Sequence, residues 1–126
     1  MGLKEQPFGS KEKTFHLPIE ITVYVPSTNK QQKFIGSEAF KKRISFVKSS
    51  LSRFFGGYTR VSGEGGYTLS SGKIAEERVA KVTSFTKRGV YFKNRSKLLN
   101  FLHKIKRTFQ QESIGYGIEG DLHYVK

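Results

Sequence analysis

The 126-residue chain is long enough for one domain with its own core, and it carries 23 Lys and Arg against 10 Asp and Glu, a net charge of +13. It has no cysteine, which excludes disulfides, thiolate metal sites and a cysteine nucleophile. It also lacks an apolar run of the roughly 18 residues that a membrane span needs, and a secretory signal. We therefore expect a soluble protein with no membrane partner, in the cytoplasm or in an organelle stroma or matrix.

The chain begins with a polar segment and then a strand. Residues 1–14 mix Lys and Glu with Gly, Pro and Ser without a period, which predicts a flexible N-terminal arm before a single domain over residues 15–126. Residues 15–25 are apolar at every odd position, the period of a half-buried strand. The face of this strand away from the core is predicted to carry Glu20, Thr22 and Tyr24.

A long amphipathic helix is predicted next. Ser37 is a candidate N-cap, with Glu38 in the first turn where the helix dipole favours an acid. Apolar residues then recur at spacings of three and four, at Phe40, Ile44, Val47, Leu51 and Phe54. Gly56 and Gly57 follow, which predicts a left-handed cap at the end of the helix.

A glycine-rich stretch then predicts two turns. Gly-Gly-Tyr-Thr occurs at residues 56–59 and again at 65–68, and this spacing is too short for a structural repeat. We expect a bulged hairpin with a turn at Gly63-Glu64-Gly65 and a second turn at Ser70-Ser71-Gly72. A longer strand of unclear register follows, from Ile74 to Phe85.

The last third of the chain predicts a second helix and a final strand. Residues 86–93 are expected to form a basic linker, with Asn94 or Ser96 capping a helix that ends near Gln111. The apolar face of this helix is formed by Leu98, Leu102, Ile105 and Phe109. One strand then reaches the terminus from Ile114, with a bulge suggested by Gly117 and Gly120.

The predicted order is strand, helix, strand, strand, helix, strand. Each helix and the first strand have one apolar face, and stacking both helices on one side of the sheet buries these faces together. The sequence therefore predicts an α+β fold: a two-layer βαββαβ ferredoxin-like sandwich with a four-stranded antiparallel sheet.

The distribution of charge indicates a function. From Arg78 to Gln111 there are ten Lys or Arg and no acid, whereas ordinary solvated helix faces mix signs. The leading prediction is a non-enzymatic module that binds DNA or RNA through phosphate contacts, largely without reading sequence. The predicted contact residues are Lys87, Arg88, Lys93, Arg95, Lys97, Lys104 and Arg107, with Lys41 and Lys48 from the first helix. A solvated helix face is the alternative.

The acids support a weaker hypothesis, a metal-dependent nuclease. It rests on Glu76, Glu77, Glu112, Glu119 and Asp121, since carboxylates are the ligands of hard cations. Their spacing matches no motif, and pairing with the many cations explains them better. No catalytic residue, metal ligand or cofactor is therefore predicted.

Two resemblances bear on the fold. The run Phe55-Gly56-Gly57-Tyr58-Thr59, with Gly65-Gly66-Tyr67, Gly72 and Glu76 or Glu77 after it, resembles a pattern in short uncharacterised ferredoxin-like proteins. That resemblance implies the fold and no function. More faintly, the chain is similar to PII-like signalling proteins, trimers that bind nucleotides at subunit clefts and carry a loop where residues 57–74 lie. The second similarity implies an oligomeric regulator that binds a nucleotide or a protein partner.

Overall fold

The computed structural model describes residues 4–9 and 15–126. Most of the predicted N-terminal arm lies outside these residues. The elements, in chain order, are β1 (Ile19–Pro26), α1 (Ser37–Phe55), β2 (Thr59–Thr68), β3 (Ile74–Thr86), α2 (Arg88–Thr108), β4 (Ile114–Ile118) and β5 (Asp121–Val125).

The strands form an antiparallel sheet in the order β2-β3-β1-β4-β5. The predicted α+β class is confirmed, and both helices contribute to the same core as the inward side of β1. The predicted number of strands was wrong, because this sheet has five strands and not four.

The fifth strand arises where one bulged strand was predicted. Glu119 and Gly120 both have positive φ, 54° and 88°, as the two central residues of a type I′ hairpin turn require. The chain therefore reverses there, and Ile118 pairs with Asp121 across the turn. Gly120 marks a turn and not a bulge.

The glycine-rich hairpin also differs from the prediction. β2 runs without a break through Gly63-Glu64-Gly65, pairing residue by residue with β3, so the turn predicted there was wrong. The chain reverses later, where the Leu69 amide donates to the Lys73 carbonyl at 2.7 Å. At Gly66 a Cβ would lie 3.2 Å from the Ala75 carbonyl oxygen. This glycine accommodates the neighbouring strand and does not form a turn.

Helix α2 begins earlier than predicted, so the linker at residues 86–93 was wrong. The segment is helical from Arg88 because Tyr91 stacks on Phe55 of α1, with ring centroids 6.4 Å apart. Asn94 is no cap, since its amide donates to the Val90 carbonyl inside the helix at 2.9 Å. A tertiary contact therefore adds almost two turns to the helix.

The ends of α1 agree only in part with the prediction. Ser37 is the first helical residue and not the cap, a position that Gly36 occupies with φ 96° and without a side-chain hydrogen bond. The C-terminal prediction is confirmed, because Gly56 is left-handed and its amide donates to the Ser52 carbonyl.

The core lies between the helices and the inner face of the sheet. Ile21, Val23 and Val25 of β1 are fully buried there. The two helices run antiparallel along a seam where Phe46 meets Phe101, with ring centroids 5.4 Å apart. This arrangement leaves one side of each helix and the opposite sheet face in solvent.

Candidate functional site

The outer surface of α2 carries most of the predicted phosphate-binding residues. Seven of its 21 residues are Lys or Arg, and its first turn contains no acid. Leu98, Leu102 and Ile105 occupy its buried side, so the cations fall on the remaining positions. The predicted residues of α2 and the preceding Lys87 are exposed.

The cations at the start of α2 oppose the helix dipole. Lys87 is the N-cap and Arg88 the first residue, where the partial positive charge of the helix N-terminus favours anions. This arrangement does not stabilise the isolated helix. A bound phosphate group would relieve the repulsion and also accept from the free backbone amides of the first turn.

Two arginines on this surface lie against the same aromatic ring. The guanidinium carbons of Arg88 and Arg95 lie 5.2 and 5.0 Å from the ring centroid of Phe92, within cation–π range. Phe92 is 47% exposed. Further along the helix, the Lys104 ammonium lies 5.5 Å from the Phe46 ring of α1. The basic surface thus extends from the start of α2 to the seam with α1.

The two residues predicted from α1 lie apart from this surface. Lys48 contacts the Tyr58 ring at 4.9 Å, and Lys41 lines a groove beside β2. Both are on the side of α1 that faces β2. The structure therefore groups the α2 cations and does not bring Lys41 and Lys48 to them.

The groove beside Lys41 is a second candidate site, with a volume of about 370 Å³. Arg60, Glu64 and Arg78 reach it from the β2–β3 hairpin. Its apolar and hydroxyl-bearing lining is Phe40, Ile44, Val79, Ser37 and Ser62. Three cations against one carboxylate make this groove suited to an anionic ligand.

Sequence reasoning missed this groove for a specific reason. Arg60, Ser62 and Glu64 alternate along β2, and such alternation places side chains on one face of a strand. The turn predicted at residues 63–65 interrupted that pattern. The continuous strand restores it and pairs Glu64 with Arg78.

Several acids have structural partners. Glu77 accepts a hydrogen bond from the Thr28 hydroxyl at 2.7 Å, and Glu119 accepts from the Glu20 amide at 3.1 Å. Across residues 4–9 and 15–126, no three His, Asp or Glu side chains are grouped so as to hold a metal ion. The same part of the chain has no helix long and apolar enough to cross a membrane.

Comparisons with known proteins point to the fold. No protein-family model matches the sequence, and no curated protein matches it. A phage SAM lyase, solved in complex with S-methyl-5′-thioadenosine, is similar in structure with a TM-score of 0.59 at 14% sequence identity. The match covers 94% of this chain and 96% of that chain. At this level of identity, the likeness shows that the two chains share a fold over nearly their whole lengths.

Proposed function

We propose that this protein binds nucleic acid through the outer surface of α2. The observation that carries the proposal is the row of exposed Lys and Arg on this helix, with no acid from Arg78 to Gln111. Phosphate oxygens along a nucleic-acid backbone match such a row, and releasing condensed counterions drives the association. The same contacts carry no base information, so binding is largely independent of sequence.

Two local features strengthen the case for a phosphate ligand. The cations at the N-terminus of α2 are placed where a phosphate would remove an unfavourable interaction with the helix dipole. The guanidinium groups of Arg88 and Arg95, which lie over the Phe92 ring, offer planar surfaces on which an unpaired base can stack. We therefore expect single strands to bind at least as well as duplexes.

A triple substitution tests this proposal. Lys97→Gln, Lys104→Gln and Arg107→Gln remove three charges from α2 without touching its buried side. Binding of a fluorescent mixed-sequence duplex, followed by anisotropy across a salt series, should weaken uniformly across sequences. The slope of log K against log salt should fall by up to about 0.9 for each phosphate that the variant no longer neutralises.

A matched control separates this surface from total charge. Lys30→Gln, Lys33→Gln and Lys73→Gln remove three exposed cations that are not part of α2, and this variant should keep the wild-type slope within error. Absence of wild-type binding at low salt, or equal weakening by the two triple variants, would refute a binding surface on α2.

A second function is favoured by the groove and by the structural comparison: binding of an adenine nucleotide between α1 and the β2–β3 hairpin. The phage SAM lyase was solved with an adenine nucleoside. The groove here falls within the size range of small-molecule sites. Its excess of cations favours a ligand that carries phosphate, which S-methyl-5′-thioadenosine lacks.

Calorimetric titrations with ATP, adenosine and S-methyl-5′-thioadenosine test this second function. ATP should bind tightest, and replacing both Lys41 and Arg60 by Gln should weaken ATP about tenfold or more while changing adenosine little. The Lys30→Gln, Lys33→Gln pair serves as the control with equal charge loss. Binding of S-methyl-5′-thioadenosine in preference to ATP would show that the cations do not select the ligand, and no binding at all would reject the groove as a site.

A further inference from the structure

Within residues 4–9 and 15–126, no helix or strand covers the face of the sheet opposite the two helices. Glu20, Thr22 and Tyr24 of β1 lie on it, opposite Phe85, Thr83 and Lys81 of β3. As expected from the sequence, this side of β1 points away from the core. We call this surface the open face; its large exposed apolar side chains are Val61, Tyr67, Phe85, Leu122 and Tyr124, each between 46% and 59% exposed.

Glycines make the open face flat around Tyr24. A Cβ at Gly115 would lie 3.3 Å from Cε1 of Tyr124 and 3.5 Å from Cδ2 of Tyr24. The two rings therefore lie over backbone and not against a neighbouring side chain. At the centre of the face, Thr22 is only 4% exposed, and its hydroxyl is hydrogen-bonded to that of Thr83 at 2.9 Å. Interface cores are enriched in aromatic residues such as tyrosine and depleted of charged residues.

The charge of the open face differs from that of the whole chain. The five strands contain three Lys or Arg residues. Arg60 and Arg78 lie on the side of the sheet that faces the helices, where both line the groove. Lys81 alone of the three lies on the open face, opposite Tyr24. The acids of the open face are Glu20 and Glu77. A chain with a net charge of +13 therefore presents one surface that another copy can approach without strong repulsion.

We infer that the open face binds a second copy of this chain, face to face, in a symmetric homo-oligomer. Charge selects this occupant, because in an isologous contact the Lys81 ammonium of each copy can pair with the Glu20 carboxylate of the other. Glu77 is already held within its own chain by the Thr28 hydroxyl. A nucleic acid is unsuited to the same surface, because a single Lys cannot neutralise a row of phosphates. The inference is independent of nucleic-acid binding by α2, since the two surfaces lie on opposite sides of the molecule.

The mass of the protein in solution tests the inference. Sedimentation velocity at increasing protein concentration should show wild-type protein at a multiple of the 14.4 kDa chain mass. Leu122→Lys and Phe85→Lys place an ammonium on exposed positions of the open face, so each should shift the distribution towards monomer. Association should also strengthen when the salt concentration rises from about 0.01 M to about 0.15 M, because screening weakens the repulsion between copies.

Leu99→Lys is the matched control, because Leu99 of α2 is 48% exposed and lies on the other side of the molecule. It should keep the wild-type mass. Circular dichroism confirms that each variant is folded. A monomeric wild type across the concentration and salt ranges would overturn the inference. So would a Leu122→Lys, Phe85→Lys double variant that is folded and keeps the wild-type mass.

Discussion

At the level of the single residue, Arg43 connects three parts of the fold. Its guanidinium donates to the carbonyls of Pro26 and Thr28 at 2.8 and 2.9 Å, and to that of Phe109 at 3.1 Å. It also lies 4.8 Å from the Phe109 ring centroid. Burial lowers the pKa of Arg43, and the carboxylate of Glu77 opposes that shift. This arginine thus joins the end of β1 to the end of α2.

Replacing Arg43 should be costly for stability. Arg43→Ala leaves the Pro26 carbonyl without its charged donor and removes the packing on Phe109. The Thr28 and Phe109 carbonyls also lose the charged donor and keep only the side-chain amide of Gln111. We expect the free energy of unfolding to fall by about 2–4 kcal/mol. Urea denaturation followed by circular dichroism measures this change.

Lys42→Ala is the reference for that prediction, because Lys42 is adjacent and exposed. It should change the free energy of unfolding by less than about 0.5 kcal/mol. A similar stability for both variants would contradict the structural role given to Arg43.

At the level of the helix and the turn, two glycines differ in whether the backbone requires them. Gly89 lies in the first turn of α2, has no positive φ, and a Cβ there would meet nothing within 4 Å. Gly120 occupies the β4–β5 turn with φ 88°. The helix therefore tolerates a side chain, whereas the turn requires glycine for its backbone conformation.

This contrast predicts changes of opposite sign. Gly89→Ala should raise the free energy of unfolding by about 0.4–1 kcal/mol, because the unfolded chain loses entropy and the helix gains a good helix former. Gly120→Ala should lower it by about 1 kcal/mol or more, since L-residues are strained there. Thermal and urea unfolding of both variants would be compared with wild type, and destabilisation by Gly89→Ala would contradict the start of α2 at Arg88.

At the level of the entire chain, the net charge of +13 opposes compaction. Self-repulsion between many like charges destabilises a folded state, and salt screens it. Raising the salt concentration from about 0.01 M to about 0.15 M shortens the screening length from about 30 Å to about 8 Å. The folded protein should therefore gain stability with salt, whereas nucleic-acid binding should weaken.

The expected result is a rise in the thermal unfolding midpoint across this salt range. The Lys30→Gln, Lys33→Gln, Lys73→Gln variant, which carries three fewer positive charges, should show a smaller rise. Measurements at a protein concentration where only the monomer is present separate this effect from self-association. An unchanged or falling midpoint would show that specific ion pairs outweigh the general repulsion.

Local patterns in the chain were enough to predict several elements. The alternation in β1 and the three-four spacing in α1 and α2 predicted those elements, and the basic surface of α2 was visible as a run without acids. Such periods arise because one side of each element is buried, so the spacing of apolar residues along the chain reveals the type of element. The end of α1 was also predicted correctly from Gly56, since a left-handed residue is needed there.

Features that depend on distant partners came instead from tertiary contacts. Tyr91 meets Phe55 across the helix seam and extends α2 towards its basic start. The pairing of β2 with β3 keeps the glycine-rich segment extended, which gathers Arg60, Glu64 and Arg78 beside α1. Pairing also separates Lys81 from the other strand cations and leaves the open face nearly neutral. These outcomes depend on which segments become neighbours, and no local period encodes that choice.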